Sequence, residues 1–362
     1  MLERRGPELL GYGEPTGDAS LRARLARMTD DAACVAADVL VTNGAQQGID
    51  LVLRTFTRPG DRVAVAIPTY HHFFGLLKAH DLRVVPVRGE GGEIDLDHLR
   101  RVLAENDPRL LYVMPTFHNP TGATMNLARR EALMDIVRRT RVPVLEDEFE
   151  LDLRFRGEAL PSLRGMDDRD LTVTVRTFSK GLFPGVRLGW VHAAAPVLGP
   201  MAALKRFIDL ETSPLLQAAL ADFLESGAGH EYLKRLRVAV GKRHAAAERA
   251  LRAEMPEGFT WTDPDGGFLR WLQGPPGFDG DRLARAAAEQ GVMVTPGRLF
   301  YATDSLANAP ASSPASITVP GVRLSLSRAD EDAVTEGIRV LARCAKDILE
   351  RAGQASGRPL IL

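Results

Sequence analysis

Long apolar runs are missing from this 362-residue chain. No stretch approaches the roughly 20 residues needed to cross a bilayer, and the opening "MLERRGPELLGYG" has no apolar core of a signal peptide. The expectation is a cytoplasmic protein. Cysteine is scarce: Cys34 and Cys344 lie far apart, without metal-ligand spacing, which excludes a disulfide scaffold and fits a reducing compartment. Both read as packing residues. An excess of one charge is also lacking, since 46 Lys+Arg face 47 Asp+Glu for a net charge of -1. No global field draws the chain to nucleic acid or anionic lipid, and neither is expected as a partner. Internal repeats are absent, and low complexity is confined to "YATDSLANAPASSPASITVPG", 301–321, which reads as a mobile surface loop.

What remains is an ordinary globular composition, 45% hydrophobic and 26% charged, on a chain long enough for two domains. Short Val/Ile/Leu-rich runs alternate with longer amphipathic segments: "DVLVTNG" then "AQQGIDLVLRTF", "DRVAVAIP" then "HHFFGLLKAH", "LLYVMP" then "NLARREALMDIVRRT", followed by "VPVLEDE" and "LTVTVRTFS". That alternation predicts an α/β unit, a mostly parallel sheet covered by helices on both faces, over residues 12–240. The stretch 229–255 reads as a long helix, and "PEGFTWTDPDGGFLRWL" as strands joined by a Gly turn. With "DRLARAAAEQ", "GVMVTPG", "GVRLSLS" and the closing "DEDAVTEGIRVLARCAKDILERA", the remainder, 241–362, reads as a smaller α+β domain. Residues 1–11 form a short N-terminal segment.

In open α/β sheets, ligands sit beyond the carboxyl ends of the strands, so the polar residues that close each apolar run are the candidates. They are Asn43, Gly44, Ala45 and Gln46 after "DVLVT", Tyr70 after "VAVAIP", and Asn119 in "NPTG". Asp147 follows "VPVLE", and Ser179 and Lys180 follow "LTVTVRTF", with Arg187 seven residues on from Lys180. A Gly-containing turn into a helix offers free N–H groups and a positive dipole end, which suit a phosphate, and Arg187 adds a charged partner. Tyr70 offers a flat face, Asp147 an anion that needs a cationic partner if buried, and Lys180 an amine that becomes nucleophilic when its pKa is lowered. A phosphate site, a stacking ring, a carboxylate for a ring nitrogen and a lysine for an imine together describe pyridoxal 5'-phosphate.

Taken singly, each signal has a bland alternative. Lys180 is a charge after a strand, "NPTG" a turn, Tyr70 a core aromatic, and Arg323 of "VRLSLS" a partner for a structural carboxylate. The other acids of "EDEFELD" read as solvated or paired. Adjacent His71 and His72 point in different directions on a helix with no third ligand in view, so no metal site is expected.

Together, "YGEPTG", "VTNGAQQGIDLV", "PTY", "HNPTG", "LEDEF", "TFSKGLFPGVRLGW", "PGRLF" and "VRLSLS" carry a resemblance to fold-type I pyridoxal-phosphate enzymes of the class I/II aminotransferase family. Within it the chain looks most like the branch of 2-aminoadipate and aromatic aminotransferases and the aminotransferase-like domain of MocR-type regulators. The resemblance implies a seven-stranded large-domain sheet and a homodimer with active sites at the interface. It further implies transamination between an amino acid and a 2-oxo acid in ping-pong fashion. Lys180 is then the Schiff-base lysine, Asp147 the partner of the ring nitrogen, Tyr70 the stacking ring and Asn119 the partner of the phenolic oxygen. Gly44, Ala45, Gln46, Thr177, Ser179 and Arg187 surround the phosphate, Tyr12 reaches the phosphate of the other subunit, and Arg323 grips the substrate carboxylate. Two alternatives stand beside this reading: another reaction of the same cofactor (racemase, decarboxylase or lyase), or the cofactor-binding effector domain of a MocR/GntR-type regulator. Two departures from the branch stand out. Phe149 replaces a tyrosine, and 11 residues precede Tyr12 where relatives carry some tens, which implies a truncated chain or a more open pocket. The glycines and proline of "GLFPGV" are expected to let the backbone turn so that Lys180 and Arg187 serve one cofactor.

Overall fold

The computed structural model describes residues 2–90, 92–302 and 319–356. Helices α1 (Leu2–Leu9) and α2 (Ala19–Ala26) lead into a large sheet. Its strands are β1 (Val39–Thr42), β2 (Arg62–Ile67), β3 (Arg83–Glu90), β4 (Glu93–Ile94), β5 (Leu110–Val113), β6 (Val144–Glu148), β7 (Thr172–Thr177) and β8 (Gly189–His192). They lie in the order β1-β8-β7-β6-β5-β2-β3-β4. The neighbours β7-β6-β5-β2-β3 are parallel, whereas β8 runs against both β7 and β1. Eight strands stand where seven were expected, because β3 runs on into a hairpin that pairs Gly89 and Glu90 with the two-residue β4.

Several strands are buried along their whole length because helices cover both faces. One face packs Val63, Val65, Leu110, Tyr112 and Leu145 against α3 (Ala45–Phe56), α4 (His71–Ala79) and, through Leu198 and Met201, a helix over Ala195–Asp209. The alternate residues Ala64, Leu111, Val113 and Val144 pack against α5 (Leu96–Asn106) and α6 (Leu127–Thr140) on the other face. The Ala195–Asp209 helix is α7; α8 (Pro214–Glu225) joins α2 over the β1–β8 edge through Leu21, Trp190 and Leu220.

β3 and β8 escaped the sequence reading. β3 carries Arg83, Pro86 and Arg88, which break the apolar signal, and it lies beside the sheet edge, where proline is tolerated. β8 has four residues directly behind a turn.

The smaller sheet is antiparallel, β11 (Thr295–Pro296), β12 (Gly321–Ser325), β10 (Leu269–Gln273) and β9 (Thr260–Trp261), in the order β11-β12-β10-β9. Helices α9 (Ala228–Glu254), α10 (Gly280–Glu289) and the last helix, Glu331–Ser356, cover it around Leu251, Leu283, Val322, Leu324 and Leu341. Residue 240 lies inside α9, where Val240 packs on Leu153, Phe268 and Leu269 from the seam between the two sheets. Cys344 is buried, Cys34 half-buried, and both are free thiols. The surface-loop reading for 301–321 falls mostly on residues 303–318, outside the described residues.

Candidate active site

The carboxyl ends of the parallel strands open on a cavity of about 630 Å³. Ala45, Gln46, Tyr70, Asn119, Asp147, Thr177, Ser179, Lys180, Arg187 and Arg323 all line it. Gly44 sits just behind as the N-cap of α3, and Tyr12 lies outside, 86% exposed on the surface.

The turn into α3 has no side-chain cap, so its first N–H groups and the helix dipole face the cavity. Gly44 has φ 82°, and a Cβ there would stand 2.8 Å from Arg187 Nη2. That same Nη2 donates to the Asn43 carbonyl at 3.1 Å. From the other side, a Cβ at Gly189 would lie 2.7 Å from Gly44 C and 2.8 Å from Ala45 N, so glycine in "RLGW" lets the turn seat against β8. The "GLFPGV" expectation is corrected in one respect. Pro184 opens a 3-10 turn over Pro184–Val186, but the left-handed residue is Arg187 itself (φ 50°), not Gly181 or Gly185.

The two hydroxyls of the strand end are no longer equivalent. Thr177 Oγ1 lies within hydrogen-bond distance of the Leu188 carbonyl (3.3 Å) and of Ser179 Oγ (3.0 Å), and it accepts the Ser179 N–H at 3.1 Å. The Ser179 side chain lines the cavity, whereas Thr177 is tied back to the strand end.

Asp147, at the end of β6, is 3% exposed. Tyr112 Oη, from β5, donates to its Oδ2 at 2.7 Å, while Oδ1 is buried without a partner among the described residues. Burial pushes the carboxyl up to about 7; the Glu148 charge adds to this, and the Tyr112 hydrogen bond and the Lys180 charge oppose it. A buried carboxylate with a vacant acceptor calls for a cationic N–H donor, which a protonated pyridine nitrogen supplies. The residues therefore fit pyridoxal phosphate at both its ring nitrogen and its anionic end. Tyr112 was invisible in sequence as a site residue, being one apolar-run member of "LLYVMP"; it stacks on Phe73 with centroids 3.8 Å apart.

Across the cavity, Arg323 projects from β12. Its Nη1 donates to Asn119 Oδ1 at 3.0 Å and Nη2 to Thr295 Oγ1 at 3.1 Å, and its guanidinium sits 5.1 Å from the Phe300 ring centroid. Nε is buried without a partner among the described residues. No carboxylate lies within ion-pairing distance of Arg323 among the described residues, although the charge of the buried Glu150 acts on it. Tyr70 Oη donates to Gln46 Oε1 at 3.5 Å, a long contact that leaves the ring face to the cavity.

His71 and His72 open α4 and line the cavity, with ring centroids 4.1 Å apart. Burial, with His72 and Arg323 nearby, lowers His71 to about 4, so its ring is neutral at pH 7. Among the described residues no group of three His, Cys, Asp or Glu side chains could hold a metal ion.

The acidic run is more deeply buried than its composition suggests. Glu146 accepts from the N–H groups of Leu163 and Arg164 and from Thr174 Oγ1, and Glu148 pairs with Arg176 at 2.6 Å. Glu150 is a second residue that sequence reasoning missed. It is 2% exposed, lines the cavity, and accepts the Phe268 N–H at 3.0 Å. Burial raises it to about 7, with Lys180 and Arg323 pulling down and Asp147 adding to the rise. Phe149 lines the same wall and brings no hydroxyl to it.

Known proteins resemble this chain in sequence and fold. The aromatic-amino-acid aminotransferase 1 of Thermococcus litoralis is 30% identical over 97% of this chain and 83% of its own length. The HTH-type transcriptional regulator TauR of Rhodobacter capsulatus is 32% identical over 87% of this chain, which spans 61% of the regulator. Among solved structures, the α-aminoadipate aminotransferase LysN of Thermus thermophilus, complexed with N-(5'-phosphopyridoxyl)-L-leucine, superposes with a TM-score of 0.87 at 30% identity, covering 97% of this chain and 87% of that one. Residues 2–324 match the family described as Aminotransferase class I and II, and the chain belongs to that family.

Proposed function

We propose that this chain moves an amino group from an amino acid to a 2-oxo acid, in two half-reactions, on pyridoxal 5'-phosphate held by Lys180. The observation that carries the residue assignment is the orphaned Oδ1 of Asp147, buried in the cavity that Lys180 lines. Bound pyridoxal phosphate supplies an aldehyde that condenses with amines and a protonated ring that accepts the electron pair released at the substrate Cα.

The chain's residues do the rest. Asp147, oriented by Tyr112, holds the proton on the ring nitrogen. The N–H groups of Ala45 and Gln46, the α3 dipole, the Ser179 hydroxyl and Arg187 bind the phosphate, with Gly44 and Thr177 shaping the turn and the strand end behind them. Tyr70 covers one ring face, and Asn119 donates to the phenolic oxygen through the amide nitrogen that its contact with Arg323 leaves free. Arg323 takes the α-carboxylate in a two-pronged grip. Lys180 Nζ is the amine that would hold the aldehyde, and when free it would serve as the base that moves the Cα proton.

Two copies of the chain complete the site in this reading, Tyr12 of each reaching the phosphate in the other; its 86% exposure on a single chain supports this. We place the enzyme in the cytoplasm, in keeping with its free thiols.

Incubation with pyridoxal phosphate is expected to give a visible absorbance band that bleaches with an amino acid and returns with a 2-oxo acid. Lys180→Ala abolishes the band. A wild-type protein without the band, or an unaltered band in Lys180→Ala, overturns the assignment.

A further inference from the structure

Behind the α3 turn, outside the cavity, one carboxylate gathers three side chains. Asp209, the last residue of α7, accepts from Asn43 Nδ2 at 2.6 Å and from Gln47 Nε2 at 2.5 Å through Oδ2, and from Lys205 Nζ at 2.9 Å through Oδ1. Lys205 is fully buried, 0% exposed, so this ion pair is locked between α7 and the sheet. Asn43 and Gln47 bracket the Gly44–Gln46 turn. They are tied to each other by the Asn43 N–H donating to Gln47 Oε1 at 2.8 Å, and the Asn43 carbonyl receives Arg187 Nη2 at 3.1 Å. One side chain thus grips both ends of the turn and, through the Asn43 backbone, the arginine beside it.

We propose that Asp209 is a positioning residue for the phosphate end of the cofactor. It fixes the N–H groups of Ala45 and Gln46 and the Arg187 guanidinium in their anion-binding arrangement without touching the anion. The proposal rests on the cofactor reading above and adds a residue to it.

Charge and positioning make opposite forecasts here. Asp209 carries a negative charge near an anion site, so by simple Coulomb interaction its neutralisation tightens phosphate binding. As a positioning residue it does the reverse. In Asp209→Asn the amide nitrogen faces either Asn43 and Gln47, which share Oδ2, or the Lys205 ammonium at Oδ1, so one side of the anchor is lost in either orientation.

The experiment titrates the apo-protein with three probes: pyridoxal phosphate, pyridoxal and inorganic phosphate. Imine absorbance is read for the first two and heat for the third. Asp209→Asn is expected to weaken pyridoxal phosphate and inorganic phosphate by roughly tenfold each and to change pyridoxal by less than about twofold. Asn43→Ala keeps the Lys205–Asp209 pair and so guards against a folding failure; it is expected to weaken the two phosphates by about threefold, again sparing pyridoxal. Asp209→Glu restores part of the loss. Tighter or unchanged phosphate binding in both Asp209→Asn and Asn43→Ala overturns the proposal, as does an equal loss for pyridoxal. A wild-type protein that binds neither pyridoxal nor its phosphate overturns the cofactor reading together with this one.

Discussion

On the large-sheet wall of the cavity nearly every polar group has a fixed neighbour: Asp147 has Tyr112, Arg187 has the Asn43 carbonyl, and Thr177 has the Leu188 carbonyl. On the small-sheet wall Arg323 holds a neutral amide and a hydroxyl, and its buried Nε has no partner among the described residues. The first wall is preset by backbone geometry, each group arriving at the end of a strand whose register the core fixes. In the proposed reading the first wall leaves an acceptor for a resident cation and the second leaves spare donors for an anion that comes and goes. A tightly bound cofactor and an exchanging substrate ask for these two kinds of wall.

Substitutions on opposite walls should therefore separate kinetically. The largest effect is expected from Asp147→Asn on the preset wall, because an amide cannot stabilise a protonated ring nitrogen. The half-reaction rate in stopped-flow absorbance should fall on the order of 10²–10³-fold with KM little changed. Arg323→Ala on the exchanging wall should raise KM for amino acid and 2-oxo acid, lowering kcat/KM by roughly 10²-fold while the cofactor band stays as in wild type. A fall in kcat at constant KM for Arg323→Ala would erase the distinction between the walls.

The smallest effect concerns Glu150, which stands where the walls meet. Its folded-state pKa of about 7 lies above the 4.5 of a free glutamate. Charging it therefore costs folding free energy as pH rises through 7, and that cost is absent below 4.5. Glu150→Gln keeps an acceptor for the Phe268 N–H and carries no charge. Melting of the apo-protein should show the variant roughly 2–6 °C above wild type at pH 8.5, with the gain vanishing toward pH 4.5. A constant offset across that range would mean that the carboxyl is not held neutral by its surroundings.

What the sequence disclosed follows the same division. Strand-end groups are legible because an apolar run states where a strand stops, and a parallel sheet brings all such stops to one rim; Asn119, Asp147 and Lys180 were found that way. Tyr112 was hidden because it lies within its run, and only the alignment of β5 beside β6 brings its hydroxyl to Asp147. Glu150 was hidden because its burial comes from Phe268, 118 residues later, which no local pattern records. Arg323 was found by resemblance more than by pattern, since nothing in "VRLSLS" says that its strand faces the rim of another sheet. β8 and the left-handed Arg187 were lost for the same reason, as both are set by the turn they close.

The contact between Gly189 and the α3 turn has a use beyond this molecule. The atoms that a Cβ at 189 would strike, Arg176 O on β7 and Gly44 C and Ala45 N in the turn, are backbone and cannot swing aside as a side chain could. A relative that kept the lysine, the arginine and the aspartate but carried alanine there would have its phosphate turn displaced from β8. Alanine at that one position is thus expected to disturb the turn that the proposed function assigns to the phosphate.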